Sequence, residues 1–436
     1  MTGNRNNIFL AIALSALVIL AWQFLVVTPQ MKAQQAHQTQ AKLASELKKQ
    51  ATPAHLARNL PALAPSQGHM SLKAALKAEG ARVAIETPLL DGSIALKGAK
   101  LDDLRLRTYH ETTDPTSPEI VLLAPKSTDY PYYAEFGWVG AGAMPSEQSP
   151  WKEAGTGSLS PGHPVTLTWD NGHGLLFTRV ISVDDKYMFT VTDSVTNNSG
   201  KAATLYPYAY VAREGVPKQQ TSWVLHQGFV GVADGSETDA NYSDFKDPGT
   251  PPKTFNSTGG WVGITDKYWM AAVIPPQNRR FTGAYLGTTT ASGVKAYQAN
   301  YRLPPRDIAS GATASVTHRL FAGAKVVDIL RGYEQSLGIV RFDNAVDWGW
   351  FWFLTQPLFW LLDLFYKFIG NFGVAILMLT VVVKTLFFPL ANTSFKSMTK
   401  MKKVQPLMDE IKKAHKDDPQ RQQQEIMELY KREKVN

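Results

Sequence analysis

Residues 371–390 read NFGVAILMLTVVVKTLFFPL, and this stretch decides the kind of protein. At a rise of 1.5 Å per residue it makes about 30 Å of helix, one crossing of a bilayer's hydrocarbon core. Its only ionisable side chain is Lys384, two-thirds of the way along. A lysine at the centre of a membrane helix costs roughly 2.5–3.5 kcal/mol on insertion scales, so such a residue usually faces protein or a wet cavity. Close to a helix end its long stem also reaches the interface. Position alone leaves both readings of Lys384 open.

The flanks set an orientation. Lys396, Lys400, Lys402 and Lys403 follow the stretch, while only Lys367 lies close before it. By the positive-inside rule the tail is cytoplasmic. A second apolar run, residues 8–27 (IFLAIALSALVILAWQFLVV), is also long enough to span. It ends in bulky Trp22, Phe24 and Leu25 rather than in a small-residue cleavage site, so residues 1–28 read as an uncleaved signal anchor. Two spans then place the N-terminus in the cytoplasm and everything between them outside. Lys32, Lys42 and Lys48 after the first span oppose this orientation, but the asymmetry around the second is sharper.

Between the spans the pattern changes twice. Residues 29–70, rich in Gln, Ala, Lys and His with four prolines, read as a flexible tether. From about Ser71 to Lys325 the period is two. Tyr187, Phe189, Val191 and Val195 alternate with Met188, Thr190, Thr192, Ser194 and Thr196, and Val316, His318 and Leu320 alternate with Thr317, Arg319 and Phe321. Turn-forming Asp184-Asp185 and Asn197-Asn198-Ser199-Gly200 bound the first run. Short strands over this length predict a large β-sandwich. Residues 325–340 turn helical, with Val327, Leu330, Tyr333 and Leu337 on one face, and close a domain at 71–340 that leads toward the membrane.

Residues 347–368, DWGWFWFLTQPLFWLLDLFYKF, hold Trp348, Trp350, Trp352 and Trp360, four of the chain's 11 tryptophans. Such clustering marks a bilayer interface. Pro357 suits the first position of a helix, and Asp363 and Lys367 pair at i, i+4 on the face that carries Gln356. Residues 347–369 therefore read as an amphipathic interfacial helix. A spanning reading would break the topology unless the N-terminus were outside. The second span takes residues 371–391. Residues 392–436 predict a helical hairpin, with stripes Leu407, Ile411, Ala414 and Ile426, Leu429, Tyr430. Asp417-Asp418-Pro419 breaks it, with Asp418 as N-cap.

The 436 residues carry a net charge of +8 and no cysteine. The lack of cysteine suits an oxidising compartment without disulfides and excludes thiolate metal sites and a Cys nucleophile. Mean hydropathy is −0.19, so most of the mass is soluble. Residues 71–395 carry a net −1, whereas residues 32–70 and 396–436 each carry +4. Lys400, Lys402, Lys403, Lys412, Lys413 and Arg421 make the tail a surface for anionic lipid or ribosomal RNA, and the main domain is no nucleic-acid groove.

A search for chemistry yields little. None of the nine histidines has metal-ligand spacing, and there is no nucleophile elbow or P-loop. Gly155-Thr156-Gly157 with Gly162 fails the dinucleotide spacing. Asp102-Asp103 and Asp184-Asp185 are adjacent acids, which point apart on a strand or turn. His110 and His318 are the histidines that a sandwich cleft could bring to a carboxylate. No metal or cofactor is expected.

The run from residue 347 to 413, continued by DDPQRQQQEIMELYKREKVN at 417–436, resembles the YidC-type membrane protein insertases of Gram-negative inner membranes. GWVGITDKYWMAAVIPP at 260–276 and the N-terminal anchor fit the same family, so the resemblance covers essentially the whole chain. It implies a periplasmic β-supersandwich like that of galactose mutarotases, two transmembrane helices, an interfacial helix and a cytoplasmic hairpin. It also implies a non-enzymatic insertase and chaperone, acting alone or with the Sec translocon. A positive residue in the second span then lines a hydrophilic groove, closed to the periplasm, that receives polar segments of incoming proteins. Lys384 matches that position, where many members carry Arg with its planar fork. The implied partners are nascent membrane proteins, the Sec translocon and its accessory subunits, ribosome and signal-recognition-particle receptor near the hairpin, and anionic lipid, with no small-molecule substrate. Members continue with further spans after the hairpin, so this sequence, ending at Val435-Asn436, reads as C-terminally truncated. Two competing expectations use the sandwich instead: a membrane-anchored carbohydrate-active enzyme, which needs a histidine and carboxylate converging in a cleft, or a periplasmic scaffold.

Overall fold

The computed structural model describes residues 70–216, 226–247, 249–290, 293–349, 351–415 and 418–433. The expected first span, the tether up to residue 69, Trp350 and Asp417 lie outside the described residues. The chain divides into two compact units, Met1–Val346 and Asp347–Asn436.

The first unit is a sandwich of two antiparallel sheets, each of ten strands. One sheet runs, in spatial order, β1 (Arg82–Glu86), β2 (Leu90–Ala95), β3 (Lys100–His110), β5 (Tyr132–Gly140), β10 (Ala203–Glu214), β18 (Lys295–Arg302), β17 (Arg280–Thr289) and β14 (Lys253–Thr258); β4 (Glu119–Leu123) joins β3 and β19 (Arg306–Ile308) joins β10. The other runs β12 (Ser236–Glu237), β11 (Gly228–Ala233), β15 (Gly260–Thr265), β16 (Trp269–Ile274), β20 (Thr313–Ala324), β9 (Met188–Asn197), β8 (Leu175–Val183), β7 (Val165–Asp170) and β6 (Lys152–Glu153), with β13 (Ala240–Asn241) beside β11.

Alternation explains most of the core. On β8 Leu175, Phe177, Ile181 and Val183 are buried, and on β9 Phe189, Val191 and Val195. Met188, expected outside, is also buried, because β9 begins under Phe321 of β20 and the incoming helix. A short helix, α1 (Leu72–Ala78), precedes the first strand where strands were expected from Ser71. Its sequence LKAALKA consists of strong helix formers, and the Ser71 hydroxyl accepts from Ala74 N at 3.4 Å as its N-cap.

A charge pair lies at the centre of this core. Arg179 on β8 and Asp193 on β9 occupy the buried parity of their strands and are 1% and 2% exposed. Arg179 Nε and Nη2 donate to the two Asp193 oxygens at 2.6 and 2.9 Å. Its remaining donors cross to the other layer, Nη1 to Ala99 O in the turn before β3 at 3.0 Å and Nη2 to Phe136 O on β5 at 2.6 Å. The guanidinium also sits over the rings of Trp151 and Phe136, 5.1 and 5.7 Å from their centroids. A bidentate carboxylate and two carbonyls satisfy the fork, which is the condition for burying an arginine at tolerable cost.

Helix α2 (Val327–Leu337) closes the sandwich with Val327, Leu330 and Tyr333 inward, as its spacing predicts. The Tyr333 hydroxyl donates to Asp184 Oδ2 at 2.6 Å and accepts from Tyr187 N at 3.1 Å. Asp184 Oδ1 holds the turn through Lys186 N and Met188 N at 2.9 and 3.0 Å. Thus α2 packs back onto the sandwich rather than leading away from it. The unit closes at Val346, beyond the expected residue 340, because Ile339, Phe342 and Ala345 are buried against it. Trp261 Nε1 donates to Val340 O at 3.2 Å, and its ring meets that of Phe342 edge-on at 5.2 Å.

Replacing Asp193 by Ala strands a buried guanidinium and is expected to destabilise the sandwich by ~3–5 kcal/mol in denaturant unfolding. Replacing Arg179 by Met together with Asp193 by Leu should recover most of that loss, since an apolar pair of similar volume leaves no charge unpaired.

Candidate functional site

The second unit holds the residues that the sequence marks. Helix α3 (Trp352–Ile369) is followed by α4 (Phe372–Ala414) and α5 (Pro419–Glu433). The joint between α3 and α4 is set locally. Gly370, at φ 75°, takes the left-handed position, and its N–H donates to Tyr366 O at 2.7 Å. The Asn371 side chain then caps α4 by accepting from Val374 N at 3.1 Å. Tyr366 and Phe372 rings meet across the joint at 5.8 Å, and Ala375 is fully buried where the two helices approach.

Pro357 does not begin α3, as the sequence reading expected; it lies inside the helix. The preceding turn forms first: Thr355 N donates to Phe351 O at 2.9 Å and Thr355 Oγ1 to Trp348 O at 2.9 Å. The proline therefore costs one intrahelical bond, the one Phe353 O would have accepted. Lys367 Nζ lies 2.7 Å from Asp363 Oδ2, the pairing that the spacing suggests. No side chain of α3 is fully buried. Trp352 and Trp360 are exposed, as are Phe351, Phe353 and Phe368, while Trp348 meets Phe359 edge-on at 5.5 Å. So large an exposed apolar surface marks contact with lipid or another protein.

Among the described residues α4 is the one helix long and apolar enough to cross a membrane. It runs unbroken for 43 residues, so the expected boundary at 391/392 between span and hairpin does not exist as a break. Pro389 and Pro406 are carried inside it. Three of its hydroxyls bond within the helix: Thr380 Oγ1 donates to Ile376 O at 2.8 Å, Thr393 Oγ1 to Pro389 O at 2.9 Å and Thr399 Oγ1 to Phe395 O at 2.9 Å. Lys384 differs from them. It is exposed, with Leu377, Val381 and Phe388 around it at 66%, 63% and 64% exposure, and no hydrogen bond or ion pair reaches it from the described residues. It is an ammonium on an otherwise apolar surface.

The end of α4 packs on α5 as an antiparallel pair. Asp418 caps α5, its Oδ1 accepting from Arg421 N at 3.1 Å. Val404 and Leu429 are each 2% exposed, and the Tyr430 hydroxyl donates to Met408 Sδ at 3.1 Å. Farther along, His415 Nε2 lies 3.1 Å from Glu425 Oε2. The inward stripe on α4 is therefore Val404, Met408, Ile411 and His415; Leu407 and Ala414, expected inward, are exposed. The four-three-four spacing of that stripe was available in the sequence, but its Met and His members were passed over in favour of aliphatic ones. Lys400, Lys402, Lys403, Lys412, Lys413 and Arg421 are all exposed.

The histidines singled out in the sandwich do not meet a carboxylate by hydrogen bond. His110 Nδ1 lies 2.7 Å from Ser117 O, and His318 Nδ1 lies 2.6 Å from the Tyr301 hydroxyl. Burial lowers the His318 pKa to about 4, so its imidazole is neutral near pH 7. Asp102 and Asp103 are buried: Asp102 pairs with Arg82, and Asp103 Oδ2 accepts from Ser93 Oγ at 2.6 Å. Among the described residues no group of three or more histidines and carboxylates could hold a metal ion.

Residues 82–361 match the family model of the YidC periplasmic domain, and residues 364–436 match that of the 60Kd inner membrane protein. The chain is 48% identical to the membrane protein insertase YidC of Methylobacterium radiotolerans and of Methylorubrum extorquens, and 43% identical to that of Bradyrhizobium diazoefficiens. Each alignment covers all of this chain and 74% of the relative. Among solved structures it is similar to a galactose mutarotase-like protein from Lactobacillus casei (TM-score 0.32, 12% identity, 56% of this chain and all of that one). It is also similar to a GalM/aldose epimerase homologue from C. elegans (TM-score 0.32, 10% identity, 56% and 99%).

Sandwich, apolar helix and family matches together define an inner-membrane protein with a large periplasmic β-domain. The chain belongs to the YidC family of membrane protein insertases. Insertase function, not the carbohydrate-active alternative, is what this membership supports.

Truncating Leu429 to Ala should loosen the α4–α5 pair by about 2 kcal/mol, since it empties one of the two most buried positions of a small interface. Truncating exposed Leu407 should have little effect. Hydrogen exchange of the amides in 419–433 reads the difference: it should speed markedly in the first variant and stay unchanged in the second.

Proposed function

We propose that this insertase works without covalent chemistry, through the positive charge of Lys384 in a hydrophilic groove open to the cytoplasm and to lipid. The observation that carries this reading is the exposed ammonium, unpartnered among the described residues, in the middle of the apolar half of α4. Leaving it in hydrocarbon is expensive, so a facing polar surface or water is favoured. An acidic or polar segment of an incoming chain can enter and pair with it, lowering the cost of leaving water. As the client's apolar segment moves into lipid, the polar segment is released to the far side.

In this reading the N-terminus and the α4–α5 hairpin are cytoplasmic, the sandwich is periplasmic, and α3 lies in the interface with Trp352 and Trp360 among the headgroups. Support for the orientation comes from the lysines that follow the apolar half of α4. The clients are nascent membrane proteins. The exposed Lys400, Lys402, Lys403, Lys412, Lys413 and Arg421 form a positive surface for anionic lipid and for the RNA of a bound ribosome, with signal-recognition-particle receptor nearby. The Sec translocon and its accessory subunits are the proposed membrane partners.

Lys384→Ala and Lys384→Arg, each made in the natural gene product, test the groove charge. Insertion of a small client with an acidic translocated segment should slow roughly tenfold in the Ala variant, the loss expected for one ion pair in a partly wet site. The Arg variant should insert at near the native rate. Native insertion by the Ala variant would remove Lys384 from the mechanism.

A further inference from the structure

On β20, Ser315, Thr317 and Arg319 alternate with Val316, His318 and Leu320. The period of two puts the first three on the face of their sheet turned away from the core. An open cavity of about 480 Å³ lies at the end of that face. Three arginines line it from three separate elements: Arg319 from β20, Arg306 from β19 of the other sheet, and Arg279 from the turn between β16 and β17. Asn278, Ser315 and Thr317 add neutral polar groups, and no carboxylate lines the cavity.

These arginines differ from those that the fold holds in ion pairs. Arg82, Arg105, Arg179 and Arg213 each have a carboxylate partner. The guanidinium groups of Arg279, Arg306 and Arg319 make no hydrogen bond or ion pair with a described residue, and Arg319 Nε is shielded from solvent without a partner. Like charges gathered on one cavity repel, and a bound anion would relieve that. Guanidinium forks match oxyanions bidentately, and the tetrahedral oxygens of a phosphate group, free or esterified, present acceptors to forks arriving from several directions, which a planar carboxylate does not.

We infer that this cavity binds a phosphate group, the three guanidiniums taking its oxygens and Ser315, Thr317 and Asn278 completing the shell. Phosphate has two sources here, a phospholipid headgroup and soluble phosphate. Gln277 and Leu337 also line the cavity, and Gln277 Oε1 accepts from Val340 N at 3.2 Å. The cavity is thus close in sequence to the segment that leads to α3, which keeps the lipid source in view.

The test uses the full chain in neutral maltoside detergent, titrated by calorimetry with inorganic phosphate and, separately, with short-chain phosphatidylglycerol. The same titrations are run on Arg306→Gln/Arg319→Gln. Only the component that the substitution removes counts, because the basic hairpin also attracts anionic lipid. The inference predicts that at least one ligand binds and that the double variant weakens it ~tenfold or more, the loss of charge-assisted hydrogen bonds. Stronger binding of inorganic phosphate assigns the soluble source, and stronger binding of the lipid assigns the headgroup. Should the double variant unfold, Arg279→Gln, on an exposed turn, must weaken binding alone. Neither ligand binding, or binding equal in native and variant protein, would overturn the inference.

Discussion

A charge taken out of water has to find compensation, and both units of this protein are organised around that constraint. In the sandwich, Arg179 meets it in full. Its carboxylate partner comes from the neighbouring strand, and its other donors reach carbonyls of the far layer. The two sheets are thereby joined at a polar point as well as by apolar packing. On α4 the same constraint is unmet. Lys384 has apolar neighbours and no partner among the described residues, so what compensates it lies outside them, in water, lipid headgroups or polypeptide. In the proposed mechanism that missing partner is the polar segment of a client.

The architecture of α4 extends this. The helix passes without a break from its apolar half into the arm that packs on α5. Thr380 and Thr393 fold their hydroxyls back onto its own carbonyls, so these groups ask nothing of the surroundings. The lysine is then the distinctive polar feature of the apolar half. At the other end, a small interface built on Val404 and Leu429 holds the hairpin, with basic side chains all outside. Few buried contacts mean a low cost of opening.

Much of this was legible from local pattern. Alternation between Tyr187 and Thr196 gave strands, and the apolar run at 371–390 gave a helix long and apolar enough to span. The charge pair was readable in principle, because Asp193 falls at the buried parity of its run and Arg179 at that of the strand before. What escaped were features that depend on distant segments or on continuity. The α4 helix runs through Pro389 and Pro406, although proline marks a boundary in a sequence, because each removes one bond from a long ladder. Met188 is buried because an element far along the chain covers it. Arg279, Arg306 and Arg319 come together only through the turn, edge strand and sheet that the topology assembles, and no spacing announces them.

Everything proposed for Lys384 requires a wet, cytoplasm-accessible surface at position 384 rather than hydrocarbon. The chain has no cysteine, so a single Lys384→Cys substitution gives an unambiguous probe. In cytoplasm-out membrane vesicles, a membrane-impermeant, positively charged thiol reagent should modify the introduced thiol at a rate comparable to that of a cysteine at position 396. The new positive charge should also restore client insertion. A thiol at position 384 that stays unmodified while one at position 396 reacts would place the residue in lipid and contradict the account.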